Sequence, residues 1–208
     1  MTILFDLDGT LIDSTDAILE GFEVAFNANN SEKPNDESIK ELIGYPLDLM
    51  FKTLGVSDNL IDKHVLDYKM HYRKISTQKT TLLPNAKEAI ELASSFATLA
   101  VVTTKTARYS KELLEHLEVF HHFKALVGRE DVTNPKPHEE PILKALNILD
   151  RESKNCFMIG DTNLDTISAK NANIKSIGVL TGYDKNLKAD IIKKDALEAI
   201  EYLKSSIK

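Results

Sequence analysis

Two aspartates stand two residues apart near the start of the chain, in the segment MTILFDLDGT. If this segment is extended, Asp6 and Asp8 lie about 6.6 Å apart on one side of it, at a rise of about 3.3 Å per residue. Two carboxylates this close raise each other's pKa unless a positive charge lies beside them. The pair therefore indicates a bound divalent cation or one carboxyl kept protonated as an acid. Turn-forming or helix-capping aspartates before Gly9 are the structural alternative.

A second pair of acids occurs in the segment FMIGDTNLDT. Asp161 follows a strand-like run, and Asp165 comes four residues later, on the same face if a helix begins near Thr162. Mg²⁺ takes oxygen ligands from a few carboxylates and keeps some of its waters, so acids from two strand ends can build one octahedral site. Capping of a helix start is the alternative for this pair, and it is compatible with metal binding.

A positive charge and hydroxyl donors complete the set. Lys136 lies in NPKPHEEP, between two prolines that restrict the backbone, and Thr103 and Thr104 end the apolar run LAVV. Aspartyl-phosphate chemistry requires a carboxylate nucleophile, a second carboxyl for proton transfer, a metal, a lysine and a hydroxyl donor. The sequence offers a side chain for each of these roles, and acids that can hold the metal.

The elements that must position these residues alternate along the chain. Short apolar runs predict strands at 2–5, 99–103, 124–128, 156–160 and 174–179, and helical spacing predicts helices at 86–95, 107–117, 139–149 and 165–172. Strand alternating with helix predicts an α/β fold with a parallel sheet covered by helices on both faces. Ligands bind at the carboxyl ends of such strands, which is where Asp6, Thr103 and Asp161 fall.

Residues 14 to about 80 have a different pattern. Amphipathic stretches at 16–26 and 59–75 are separated by polar loops, with no convincing strand between them. This pattern predicts a helical insert between the first strand and the rest of the sheet.

Composition limits the possible partners. The 208 residues are 42% hydrophobic and 28% charged, as expected of a chain with a packed core. The net charge is −6 and no basic stripe is present, which argues against nucleic acid or an anionic membrane as a partner. The only cysteine, Cys156, cannot form an intramolecular disulfide. Without a signal-peptide pattern or a membrane-spanning run, the chain is expected to be cytoplasmic.

Four segments resemble, in order, the four motifs of the haloacid dehalogenase-like hydrolase superfamily: FDLDGTLIDS, VVTTK, KPHEEPI and IGDTNLD. The resemblance covers essentially the whole chain. The position of the insert resembles the helical-cap subgroup, which contains phosphoglycolate-phosphatase-like and β-phosphoglucomutase-like members. It implies a Rossmann-like catalytic core at 1–14 and 80–208, with a small α-helical cap domain at 15–79. It also implies a Mg²⁺-dependent phosphatase that hydrolyses a small-molecule phosphate monoester, phosphoglycolate-like or a sugar phosphate, through an aspartyl-phosphate.

The resemblance assigns roles to the acids. Asp6 would attack phosphorus, and Asp8 would protonate the leaving alcohol and then activate water. Mg²⁺ would be held by the Asp6 carboxylate, the Asp8 backbone carbonyl and Asp161. Asp165 would lie beside the ion, as a ligand or next to one.

The other roles concern the phosphoryl group and the substrate. Thr103 and Lys136 would hold the phosphoryl oxygens, and Lys136 would also offset the charge of Asp6. Thr104 and Gly44, the latter in the cap stretch IGYPLDLM, would face the substrate. Thr104 stands where the family commonly has asparagine, and Glu139 stands where the lysine motif usually has a second proline. Because of these two departures, the resemblance implies the mechanism more strongly than the identity of the substrate.

Four other functions are alternatives to a monoester phosphatase. Mutases resembling β-phosphoglucomutase carry a histidine where this chain has Ile18, which cannot transfer a proton, and pyrophosphatase activity is a further alternative. A phospho-acceptor signalling module is the non-enzyme alternative, although such modules place the acceptor aspartate on a later strand and lack a helical insert. A catalytically silent binding protein is disfavoured by the intact acids. We expect a monomer or a homodimer.

Overall fold

A parallel sheet forms the centre of the molecule. The computed structural model describes residues 1–207. In chain order, its strands are β1 (Thr2–Phe5), β2 (Ile12–Asp13), β3 (Thr81–Leu82), β4 (Thr98–Val102), β5 (Phe123–Val127), β6 (Cys156–Gly160), β7 (Lys175–Val179) and β8 (Ile191–Lys193). The main sheet has the order β5-β4-β1-β6-β7-β8, and every adjacent pair is parallel. The α/β fold class predicted from the sequence is therefore confirmed.

Helices cover both faces of this sheet. The α-helices of the described residues are α1 (Thr15–Ala28), α2 (Asp36–Lys40), α3 (Leu47–Thr53), α4 (Asp58–Lys79), α5 (Ala86–Ser94), α6 (Ala107–His116), α7 (Glu140–Ile148), α8 (Asn163–Asn171) and α9 (Ala196–Ser205). Helices α5, α6 and α9 pack on one face, and α7 and α8 pack on the other. The strands and helices predicted for this part of the chain form close to their predicted bounds.

The central strand shows why the sheet is buried on both sides. Side chains alternate across a strand, so Ile3 and Phe5 join the core under α5 and α9, whereas Leu4 joins the core under α7 and α8. All four residues of β1 are buried, as expected for a central parallel strand. A polar residue directly after β1 therefore lies at the end of a strand that is buried along its whole length.

Helices α1 to α4 form the insert and share a hydrophobic cluster of their own. In it the ring centroid of Phe22 lies 4.6 Å from that of Phe51 and 5.2 Å from that of Tyr68. Helix α1 approaches α4 at Gly21, where a Cβ atom would lie 2.6 Å from the Tyr68 ring. The close contact between these two helices therefore requires glycine at this position.

The sequence pattern did not predict the contact between the two chain passages that join the insert to the sheet. Strands β2 and β3 pair antiparallel, with Ile12 opposite Leu82, and the Leu83 amide donates to the Leu11 carbonyl at 3.0 Å. The insert therefore enters and leaves at neighbouring points. Within residues 1–207, no helix combines the length and apolar character that crossing a bilayer requires.

Candidate active site

The candidate site forms at the carboxyl ends of three adjacent strands. Asp6 follows β1, Thr103 follows β4 and Asp161 follows β6, and all three residues are buried. Because β1 lies between β4 and β6, these strand ends meet at one edge of the sheet. The structure thus brings together residues that are far apart in the sequence, as their positions after predicted strands led us to expect.

Lys136 lies inside this group. Its Nζ is 2.8 Å from Asp6 Oδ1, 2.5 Å from Asp165 Oδ1 and 3.1 Å from the Val102 carbonyl oxygen, and its side chain is 2% exposed. An ammonium group has three N–H donors, so each donor of Lys136 has a protein acceptor. The lysine is therefore fixed beside Asp6, where it offsets the carboxylate charge.

Asp165 belongs both to this cluster and to the start of α8. Its Oδ2 accepts hydrogen bonds from the Thr162 amide at 3.1 Å and from Thr162 Oγ1 at 2.7 Å, in a capping box at the helix N-terminus. Its Oδ1 contacts Lys136. Both carboxylate oxygens thus have protein partners, so Asp165 caps the helix and holds the lysine with the same side chain.

Asp161 is oriented by contacts that the sequence pattern does not predict. Thr10 Oγ1 donates to Asp161 Oδ1 at 2.9 Å, and the Tyr183 amide donates to Oδ2 at 3.1 Å. Gly9 has a φ of +80°, and a Cβ there would lie 2.5 Å from Asp161 Oδ2, so only glycine fits. Such bonds fix the direction of a carboxylate and leave lone pairs for a ligand.

The three acids form a candidate metal site. One carboxylate oxygen from each of Asp6, Asp161 and Asp165 lies within 4.8 Å of the others, and all three residues are buried. Burial raises the pKa of Asp6 to about 7, and the Asp165 carboxylate adds to the rise while Lys136 opposes it. Burial, and then the charges of Asp6 and Asp165, also raise the pKa of Asp161 well above its usual value. Three buried acids with one buried ammonium fit a divalent cation with oxygen ligands.

Asp8 lies outside this cluster, at the boundary with the insert. Its Oδ1 accepts a hydrogen bond from Ser14 Oγ, and its Oδ2 lies 3.3 Å from Lys105 Nζ. The Asp8 side chain is 12% exposed and lines a cavity of about 380 Å³ between the sheet and helices of the insert. Asp6 and Asp8 therefore have different surroundings although they are two residues apart.

Of the four predicted substrate-contacting residues, two line this cavity, and the other two, Thr103 and Lys136, lie outside its lining. Thr104 and Gly44 both line it, and Thr104 Oγ1 donates to the Gly44 carbonyl at 2.7 Å, which joins the sheet to the insert. Thr103 Oγ1 accepts a hydrogen bond from the Lys105 amide at 3.1 Å, so its own O–H remains free to donate to an anion. Ile18 lines the same cavity.

The chain is similar to known proteins in both sequence and structure. Residues 3–179 match the family of haloacid dehalogenase-like hydrolases. A pyrophosphatase of Oceanobacillus iheyensis is 30% identical over 96% of this chain and 94% of its own length. A phosphoglycolate phosphatase of Aquifex aeolicus is 32% identical over 88% of this chain and 86% of its own length. A solved haloacid dehalogenase-like hydrolase from Streptococcus pneumoniae superimposes with a TM-score of 0.87, at 28% identity and over 97% of both chains.

Proposed function

Since the chain belongs to the haloacid dehalogenase-like hydrolases, we propose that it is a Mg²⁺-dependent phosphatase that hydrolyses a small-molecule phosphate monoester through an aspartyl-phosphate on Asp6. The observation that carries the proposal is the buried contact of Asp6 with Lys136, beside two further acids and next to a cavity that Asp8 lines. A nucleophilic carboxylate needs a fixed position and a partly compensated charge, and this contact supplies both.

In the first half-reaction, an Asp6 carboxylate oxygen attacks phosphorus and forms the O–P bond of the phospho-enzyme. The bond between phosphorus and the ester oxygen breaks, and Asp8 gives a proton to the leaving oxygen. Thr103, with its hydroxyl hydrogen free, donates to a phosphoryl oxygen. Asp8 is suited to proton transfer because its side chain reaches the cavity, whereas Asp6 lies inside the cluster of acids.

In the second half-reaction, water attacks phosphorus and the O–P bond to Asp6 breaks, which releases inorganic phosphate. Asp8, now deprotonated, accepts the proton of that water. The same side chain thus acts as acid and then as base, and neighbouring Ser14 and Lys105 keep it at the cavity wall.

The carboxylates of Asp6 and Asp161, with the backbone carbonyl of Asp8, would hold the metal ion. Bound Mg²⁺ supplies positive charge that reduces the repulsion between Asp6 and a phosphate dianion. Asp165 contacts Lys136 directly and caps α8 through Thr162, so we assign it the positioning of the lysine beside the ion.

The cavity supports a small substrate and hydrolysis rather than isomerisation. Its volume of about 380 Å³ suits a small organic phosphate. Ile18 lies in its wall at the position where mutases have a histidine, and isoleucine cannot transfer a proton between two sugar phosphates. Pyrophosphate is the second candidate substrate, because a relative 30% identical over 96% of this chain is named a pyrophosphatase.

Phosphate release from a panel of compounds tests the proposal. The panel contains phosphoglycolate, pyrophosphate, sugar phosphates, nucleotides and p-nitrophenyl phosphate, each assayed with Mg²⁺ and with excess chelator. We expect metal-dependent release by the natural protein, no release by Asp6→Asn, and slowing of both half-reactions by Asp8→Asn. Asp16→Asn, an exposed acid at the start of α1, is the matched control and should keep full activity. Substantial turnover by Asp6→Asn would remove Asp6 as nucleophile.

A further inference from the structure

Lys105 lies at the boundary between the sheet and the insert. Its Nζ is 3.3 Å from Asp8 Oδ2 and 3.0 Å from the Tyr72 hydroxyl oxygen, and its side chain is 13% exposed. Among the described residues these two groups are its acceptors, although an ammonium group has three N–H donors. Lys136, by contrast, uses all three donors on protein atoms. Lys105 thus lines the cavity with one donor available for a ligand.

Tyr72 adds a second donor to the same place. The Tyr72 ring stacks on Tyr68 with centroids 5.4 Å apart and planes 13° from parallel, and it is buried in the insert. Its hydroxyl oxygen accepts from Lys105, so its own O–H can donate to a group in the cavity. An ammonium from the sheet and a phenol from the insert are therefore held side by side.

The rest of the cavity lining combines apolar side chains with polar ones such as Asp8, Thr104 and Thr106. Its inner walls include the apolar side chains of Ile18, Ile43 and Met50. Apolar walls exclude water and strengthen a contact between an ammonium and an anion.

At the rim of the cavity, charges of both signs occur together. The exposed acids Asp48 and Asp62 line the cavity together with the half-buried cations Lys69 and Arg129. The rim therefore favours neither sign of charge, and selection by charge has to take place further inside.

We propose that Lys105 and Tyr72 form a specificity site for an anionic group on the leaving part of the substrate, either a carboxylate or a second phosphate. The inference rests on the proposed function, in which Asp8 protonates the leaving oxygen. Because Lys105 contacts Asp8, a group bound to Lys105 lies close to that oxygen. The site thus selects small phosphate compounds with a second negative charge over neutral sugar phosphates.

Binding to a variant that cannot turn over tests the inference without relying on activity. In Asp6→Asn protein with Mg²⁺, titration calorimetry compares 2-phosphoglycolate and pyrophosphate, which carry a second anionic group, with methyl phosphate, which does not. We expect at least one of the two to bind about tenfold or more tightly than methyl phosphate, and the stronger of the two identifies the anion. Adding Lys105→Met should remove this preference, and adding Tyr72→Phe should reduce it.

Matched variants separate recognition from folding. Lys69→Met removes another lysine that lines the same cavity and should keep the preference, and Lys105→Arg should keep part of it. Tyr72→Phe removes one oxygen atom and keeps the ring stacking, so it tests the site even if Lys105→Met unfolds. Equal losses of affinity for methyl phosphate and for the anionic compounds, or no preference in Asp6→Asn, would overturn the inference.

The two hypotheses fail in different ways. Metal-dependent turnover by the natural protein without any binding preference overturns the specificity site and keeps the phosphatase. A binding preference that depends on Lys105, without turnover of any compound by the natural protein, overturns the phosphatase and keeps the anion site.

Discussion

Lys136 and Lys105 show how the surroundings of a lysine determine what it can do. Both contact an aspartate that comes shortly after β1, but Lys136 is enclosed by protein acceptors whereas Lys105 borders a cavity. The first stabilises a charged cluster, and the second remains able to bind a ligand.

Replacement of Lys136 tests its structural contribution. Lys136→Met leaves Asp6 and Asp165 buried without their shared cation, and removing one partner of a buried ion pair costs about 3–5 kcal/mol. We expect a loss of this order in the free energy of unfolding at neutral pH, measured by urea denaturation without metal. The control Lys111→Met removes a lysine whose pair with Glu115 is exposed and should cost less than about 1 kcal/mol. Equal effects of the two variants would contradict the assignment.

At the residue scale, the sequence identified groups by type and position after a strand. That was sufficient to expect Asp6, Thr103 and Asp161 at one edge of the sheet, because strand ends of a parallel sheet converge, and the roles of these residues stay predictions. It was not sufficient for Tyr72, whose position beside Lys105 depends on how the insert packs against the sheet. Backbone donors such as the Tyr183 amide leave no signal in residue type.

At the scale of elements, the helices of the insert pack around aromatic rings, and Gly21 is where α1 and α4 come closest. Alanine usually stabilises a helix over glycine by about 1 kcal/mol. Here we expect Gly21→Ala to lower the melting temperature, because the new Cβ displaces the Tyr68 ring.

The same displacement should disturb Tyr72, which stacks on Tyr68. Thermal denaturation and the calorimetric preference for anionic compounds are measured on Gly21→Ala and on Glu23→Ala, an exposed position of the same helix. A melting temperature for Gly21→Ala at or above that of the natural protein would show that α1 and α4 can separate at no cost.

The long elements were predictable and the short ones were not. Hydrophobic spacing over nine or more residues identified α5 and α7, whereas β2, β3 and β8 have two or three residues and no usable period. Such short strands form because the elements around them bring their backbones together.

At the scale of the whole molecule, the charge of the acidic cluster links stability to pH. The pKa of Asp6 in the folded protein is about 7, above its ordinary 3.8, so the folded state binds more protons than the unfolded state between these values. The free energy of unfolding of the metal-free protein should therefore fall as pH rises through this range.

A cation that pairs with the ionised cluster should reverse this loss. We expect Mg²⁺ to raise the melting temperature more at pH 8 than at pH 5, as followed by differential scanning fluorimetry in matched buffers. Asp161→Asn should abolish most of the Mg²⁺ effect and make the metal-free protein less sensitive to pH. A shift by Mg²⁺ that is the same at both pH values would show that the ion does not act through these acids.

The pairing of β2 with β3 brings the two ends of the insert together. Since Ile12 and Leu82 are paired neighbours, the stretch between them begins and ends at the same place on the rest of the protein. A helical insert of different length or sequence could replace it between β2 and β3 without moving the strand ends that carry Asp6 and Asp161. The part of the cavity wall that the insert supplies, including Tyr72, could therefore be re-engineered while Asp6 and Asp161 stay in place.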